Sequence, residues 1–191
     1  MINFLLNNSQ SFELFLQLEN YIERQMKVKT NKFTKNEISK ALKIYNYFIE
    51  NSFSNFEEKK LSKLKFNFLL KKIKKNKLPF ILAIEGNEVI GLAFVNKFRE
   101  KSGYRFSYEH SIFVDPDLIN NGYGNKILKE LVKICKKISK IKNLIAVIGG
   151  KNNFASIKIH KNNGFQYIGT IKKAGFKKNK WVDSIYMQKR L

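Results

Sequence analysis

Cysteine is all but missing. Cys135 is the only one in 191 residues, so no intrachain disulfide can form and no thiolate metal cluster can be built. Histidine is almost as scarce: His110 and His160 are the whole supply, too few with one cysteine for a His/Cys zinc site, and no metal is expected. Only two prolines are present, and neither a linker nor an internal repeat interrupts the chain. No run is long and apolar enough to span a bilayer. The opening stretch Met1–Asn8 has no basic segment ahead of its short apolar patch, so neither secretion nor membrane insertion is expected, and a reducing cytoplasm fits.

Acidic residues are also few. Lys+Arg number 37 against 15 Asp+Glu, a formal charge of +22, a balance that raises nucleic acid as a partner. The lysines are scattered, however, as in Lys71-Lys72, Lys74-Lys75, Lys136-Lys137 and Lys172-Lys173, which reads better as solvated faces, with some of the charge left to steer an anionic ligand. The length suits one α/β core with an appendage: a helical extension over residues 1–25 and a single domain over 26–191.

From Ser11 to Arg24, apolar residues near helical spacing predict the helix of that extension, with an apolar face suited to an interface. A first strand is expected within Met26–Phe33, and Thr34-Lys35-Asn36-Glu37 then reads as a capping box for a helix burying Ile38, Ala41, Leu42, Tyr45 and Ile49. A second helix carries Leu61, Leu64, Phe68 and Leu69 and ends before Pro79. The apolar runs Phe80–Ile84 and Val89–Val95, joined by Gly86-Asn87, predict a hairpin. A strand over Arg105–Val114 runs through Gly122-Tyr123-Gly124 into an amphipathic helix with Ile127, Leu128, Leu131, Cys135, Ile138 and Ile141 on one stripe, Cys135 being a small buried thiol there. Leu144–Ile148 reads as a buried strand, Ala155–Lys161 as a short helix stopped at Asn163-Gly164, and Phe165–Lys172 and Lys180–Lys189 as the last strands.

Strand, glycine loop and helix, in that order, suit a phosphorylated ligand. The first turn of a helix has backbone N–H groups without intrahelical partners, and glycines ahead of it let an anion come close.

The order of elements, together with Ile44-Tyr45-Asn46, Phe98-Arg99, Gly103-Tyr104-Arg105, Glu109-His110-Ser111-Ile112-Phe113-Val114-Asp115-Pro116, Ala146-Val147-Ile148-Gly149-Gly150, Ala155-Ser156-Ile157, His160, Gly164-Phe165, Ala174-Gly175-Phe176-Lys177, Trp181 and Asp183, resembles the GNAT acyltransferases and, within them, the phosphinothricin acetyltransferase family. The resemblance runs from about Lys27 to the end. It implies an α/β (α+β) GNAT fold: a mostly antiparallel mixed sheet with helices on both faces, splayed between the fourth and fifth strands. It implies acetyl-CoA as co-substrate, with the pantetheine arm on Ile112, Phe113 and Val114, the pyrophosphate on the amides from Asn120 through Asn121, Gly122, Tyr123 and Gly124 to Asn125, and a pantetheine hydrogen bond from Asn153 or its neighbour Asn152. Ile119 and Asn120 depart from the family loop, so weakened cofactor binding is expected.

The same resemblance implies Glu109 as general base, since an amine must lose a proton before it attacks a thioester and a carboxylate can take it directly or through water. It implies His160 as the acid that protonates the departing thiolate, or as a group that orients a water, while strand alternation puts His110 on the opposite face, where it reads as structural. Phe56, Arg99, Lys101 and Tyr104 are implied near the acceptor, the cations suiting a carboxylate or phosphinate, and a homodimer is the implied assembly. The leading expectation is an N-acetyltransferase for a small anionic amino acid-like amine such as phosphinothricin or methionine sulfoximine. Two alternatives stand beside it: the same chemistry on an amino sugar, nucleotide-linked metabolite or protein, and a non-catalytic nucleic-acid-binding or regulatory protein on this scaffold.

Overall fold

The computed structural model describes residues 25–150 and 152–191; the helix expected over Ser11–Arg24 lies outside them. Seven strands form one sheet in the order β1-β2-β3-β4-β5-β7-β6: β1 Lys27–Lys29, β2 Phe80–Glu85, β3 Glu88–Lys97, β4 Ser107–Val114, β5 Asn143–Gly149, β6 Gln166–Lys177 and β7 Lys180–Arg190. Four helices flank it: α1 Lys35–Asn51, α2 Lys63–Lys75, α3 Tyr123–Lys136 and α4 Phe154–Asn162. All strand pairs are antiparallel except β4 with β5.

Local signals set the helix starts. At α1 the capping box closes both ways, Glu37 N–H donating to Thr34 Oγ1 at 3.2 Å and Thr34 N–H to the Glu37 carboxylate at 2.6 Å. Ala41, Ile44, Tyr45 and Ile49 then bury one stripe of α1, and the Tyr45 ring meets those of Phe94 and Phe113 on one face of the sheet. The other face takes α3 at a place cut for it: a Cβ on Gly91 would stand 2.7 Å from Ile127 Cδ1 and 2.8 Å from the Phe113 carbonyl, so only glycine lets α3 lie this close to β3.

Three boundaries differ from the sequence reading. β1 stops at Lys29, because Lys32 takes a left-handed φ of 55° as the chain turns into the Thr34 cap. β4 begins at Ser107, after a 3-10 turn over Ser102–Tyr104. β6 continues five residues past Lys172, through a left-handed Lys173 and a register shift between Ile171 and Gly175, and Lys178 and Asn179, both at positive φ, turn it directly into β7. In the β2–β3 hairpin Gly86 alone takes positive φ, 56°, among the two turn residues.

The site is positioned by the place where the sheet fails to hold together. β4 and β5 pair only over Ser107–Glu109 and Asn143–Ile145, and from there to Val114 and Gly149 they diverge. The expected splay is present, and it opens a cleft through the middle of the sheet.

Candidate active site

The cleft encloses roughly 670 Å³. One wall is β4 from Glu109 to Val114, the other is β5 from Ala146 to Ile148 with the first turns of α4. Asn120, Gly122, Gly124 and Asn125 close one end, and the turn after α1, Ser54 to Glu57, closes the other. An elongated ligand with an anionic head and a small reacting end fits that shape.

At the anionic end, Gly122 caps α3 with φ 80° and Asn120 is left-handed at φ 71°. Asparagine and glycine are the residues that tolerate this conformation, and it turns main-chain N–H groups toward one place, adding to the open amides of the α3 start. The loop is anchored beneath by Asp115, which is buried, accepts from Asp117 N–H at 3.2 Å and pairs with Lys40 of α1 at 2.7 Å. Of the residues expected here, Asn121 and Tyr123 do not line the cleft: Asn121 is exposed, and Tyr123 donates its hydroxyl to Glu85 at 2.6 Å.

In the middle, strand alternation sorts the polar groups. Glu109 pairs in register with Asn96, and both sit on the α1 face with Ser111 and Phe113. Burial pushes the Glu109 carboxyl above its ordinary value, and the nearby Arg99 charge draws it part of the way back. A carboxylate biased toward its protonated form is a stronger proton acceptor when ionised, which suits a base working near neutral pH.

His110, one residue on, faces the other way and meets His160 of α4. Their Nε2 atoms are 2.9 Å apart, and both rings pack on Phe165. His160 Nδ1 lies 2.6 Å from the Ser156 carbonyl, so that nitrogen carries the proton and donates. Nε2 of His160 is then the acceptor, and His110 Nε2–H donates to it, with the Ile145 backbone beside the same His110 ring. Burial pulls both imidazoles below their ordinary values, His110 well below, with His160 adding to the effect on His110 and the Ser156 carbonyl opposing it on His160. His160 therefore meets the cleft with both ring nitrogens engaged, and its nearest cleft-lining hydroxyl is Ser156 Oγ, 3.4 Å from Nδ1.

Asn153 rather than Asn152 lines the cleft. Its Oδ1 caps α4 through Ser156 N–H at 3.3 Å, and its Nδ2 donates to Ser54 Oγ at 3.2 Å, tying the start of α4 to the turn after α1. Phe56 also lines the cleft, but Arg99, Lys101 and Tyr104 do not: all three are exposed, with Arg99 stacked over Phe98 at 4.9 Å and Tyr104 edge-on to the same ring. Sequence reasoning missed Ser54, Asn55, Glu57, Asn96, Ser111 and Ser156. Asn96 and Ser111 share strand parity with Glu109, a signal that could have found them.

Among the described residues no helix is long and apolar enough to cross a membrane, and no group of three or more His, Cys, Asp or Glu is placed to hold a metal.

Residues 41–165 match the acetyltransferase (GNAT) family. The chain is 31% identical over 148 residues to the phosphinothricin N-acetyltransferase of Alcaligenes faecalis, covering 78% of this chain and 75% of that protein. Among solved structures, a GNAT superfamily phosphinothricin acetyltransferase from Sinorhizobium meliloti in complex with AcCoA is similar with a TM-score of 0.80 at 31% identity, over 87% of this chain and 88% of the other. A ribosomal-protein-alanine N-acetyltransferase from Brucella melitensis is equally similar, TM-score 0.80 and 31% identity over 86% and 99%.

Proposed function

The chain belongs to the acetyltransferase (GNAT) family and is an acetyl-CoA-dependent N-acetyltransferase; from that premise we propose that it acetylates the primary amine of a small anionic amino acid of the phosphinothricin or methionine sulfoximine kind. The observation that carries the reading is Glu109: a half-buried carboxylate, pushed above its ordinary value, in a cleft lined at one place by a helix start. Residues 26–191 are taken as the catalytic domain.

In this reading the pyrophosphate of acetyl-CoA rests on main-chain amides between Asn120 and Asn125, with the pantetheine along Ile112, Phe113 and Val114, whose β5-facing edge has no paired strand. Glu109 takes the proton from the substrate ammonium, directly or through water. The free amine then attacks the thioester carbonyl, and a main-chain N–H of β4 supports the oxyanion. On collapse the carbon–sulfur bond breaks and its electron pair leaves on sulfur. The attacking nitrogen gives up its second proton as the amide forms, and the thiolate takes a proton from the Ser156 hydroxyl, which His160 Nδ1 adjoins and through which His160 acts. Phe56 walls the acceptor end, and Arg99, 4.9 Å above Phe98, acts on an anionic acceptor at the rim by its charge, as does Lys101, while Tyr104, packed on the same Phe98 ring, offers an uncharged hydroxyl beside them.

A second reading has a specific observation in its favour. The similarity to a ribosomal-protein-alanine N-acetyltransferase keeps the chemistry and makes the acceptor a protein amine. A thiol-release assay separates the two. Acetyl-CoA is offered with phosphinothricin, methionine sulfoximine, the proteinogenic amino acids, amino sugars and alanine-led peptides. Turnover confined to the amino acid analogues is expected; turnover with peptides alone reassigns the acceptor, and salt-sensitive nucleic-acid binding with no turnover at all favours the non-catalytic alternative. Glu109→Gln should bind acetyl-CoA as before and lose most turnover, together with the acid limb of the kcat/KM profile; an unchanged limb removes Glu109 from the role.

A homodimer through β6 is part of the proposal. β6 is a sheet edge, and it and β7 expose Tyr167, Ile168, Ile171, Phe176 and Trp181, an apolar band that a second copy would cover. Light scattering checks the mass. The reducing cytoplasm stays the proposed compartment, in keeping with the single buried Cys135.

A further inference from the structure

One buried charge takes no part in this chemistry. Lys177, at the far end of β6, is 2% exposed, yet no carboxylate among the described residues lies within ion-pair distance of it, the charges of Glu57 and Glu58 acting only from farther off. Its Nζ donates instead to two main-chain carbonyls, those of Ser52 at 2.9 Å and of Asn55, more than a hundred residues earlier in the chain. Burying an ammonium is unfavourable, and for packing alone a methionine of similar length would serve better. An ammonium supplies what an apolar stem cannot: several donors at one point, able to hold two carbonyls of an irregular turn in a fixed relation.

Those carbonyls belong to the turn leaving α1, whose Ser54, Asn55, Phe56 and Glu57 form the end of the cleft beyond Glu109. Everything around the turn is fitted to that one placement. The Phe56 ring lies where a Cβ on Gly175 would come within 2.2 Å of it, and the Phe53 carbonyl lies where a Cβ on Gly149 would come within 1.9 Å. The Ser54 hydroxyl meets Asn153, and Asn55 Oδ1 accepts from Glu57 N–H at 2.9 Å. Among these ties only Lys177 brings a full charge, and it reaches the turn from behind.

We propose that Lys177 is a positioning residue for the acceptor: its ammonium holds the Ser52–Glu57 turn as the amine-side wall of the cleft, and so sets affinity for the amine without setting affinity for acetyl-CoA. The inference rests on the reading that the amine enters at this end. Without the two charge-assisted bonds the turn samples other positions, and the acceptor must order it on binding.

The test is Lys177→Met, which keeps the stem and removes the donors. The acceptor KM is expected to rise about tenfold or more, with acetyl-CoA KM within about twofold of wild type and the melting curve still cooperative. Amide hydrogen exchange supplies a readout independent of turnover. Residues 52–57 should exchange at least about tenfold faster in the variant, while β4 and α3 keep their wild-type protection. Unchanged exchange in that turn, or equal rises in both KM values, overturns the proposal. Wild-type silence toward every small amine would instead defeat the reading of the acceptor, and the exchange result would still decide whether Lys177 holds the turn. If Lys177→Met does not fold, Gly175→Ala perturbs the same wall through Phe56 and should show the same split between the two KM values; an unsplit effect there overturns the inference.

Discussion

Lowering the pH should destabilise this protein through two side chains. His110 and His160 are buried as neutral imidazoles, with Nε2 to Nε2 at 2.9 Å, and burial pulls both below the ordinary histidine value. In the unfolded chain each takes a proton near its usual pKa, about 6.5. Unfolding therefore binds protons, and the stability these groups carry, fully present above that value, is lost as the pH falls beneath it. The slope is at most about 1.4 kcal/mol per pH unit for each imidazole. By pH 5 that amounts to roughly 2 kcal/mol each, and about 4 kcal/mol for the pair at the limit where neither protonates in the fold, a large part of a typical domain's 5–15 kcal/mol. Glu109 works in the other direction, since burial raises its carboxyl and it gains stability as the pH falls toward its ordinary value, but it is one group against two. Urea midpoints followed by circular dichroism at pH 7.5, 6.5, 5.5 and 5.0 measure the slope. The variant carrying His110→Leu and His160→Leu removes both titrations in a site already lined by Phe165, and its midpoint should no longer fall over the same range, staying level or rising slightly as Glu109 titrates. A level wild-type profile, or a double variant that falls as steeply as wild type, refutes the assignment.

Two further outcomes follow from single side chains. Asn46 bridges from α1 to the chain entering α2, its Nδ2 donating to the Leu61 carbonyl at 3.0 Å and its Oδ1 accepting from Leu61 N–H at 2.9 Å, so Asn46→Ala should cost about 1–3 kcal/mol by urea unfolding. A loss below a few tenths would mean water replaces both bonds. Burial pushes the Cys135 thiol up to about 12, so the folded protein should not react with an aromatic disulfide reagent at pH 8 and should release one equivalent on unfolding; fast reaction in the native state would contradict its burial.

How far these features could be read beforehand depended on how local their causes are. The α1 start was legible because Thr34 and Glu37 are three residues apart and complete a cap between themselves. The glycine loop and the parity that separates Glu109 from His110 are equally short-range. The contact of His110 with His160 was not, since it joins residues 50 apart whose meeting depends on how α4 lies across the sheet. Lys177 was hidden for a related reason. The register shift between Ile171 and Gly175 breaks the two-residue period, so the pattern ends the strand at Lys172, and a lysine beyond that point reads as solvated. Arg99, Lys101 and Tyr104 lie outside the cleft lining, with the Arg99 charge still acting on Glu109: residue type suits an anionic acceptor but carries no information about direction.

The seam between β4 and β5 has a mechanical consequence. Four strands are laced together on one side and three on the other, and among the described residues β4 and β5 pair over Ser107–Glu109 alone, with the Phe106 carbonyl just before accepting from Lys142 and Asn143. Such a sheet behaves as two stiff plates with a short stitch at one end. A molecule lying in the gap touches both plates and resists their parting, so occupancy at the centre is felt as rigidity at edges that never meet the ligand, including the outer strand β6.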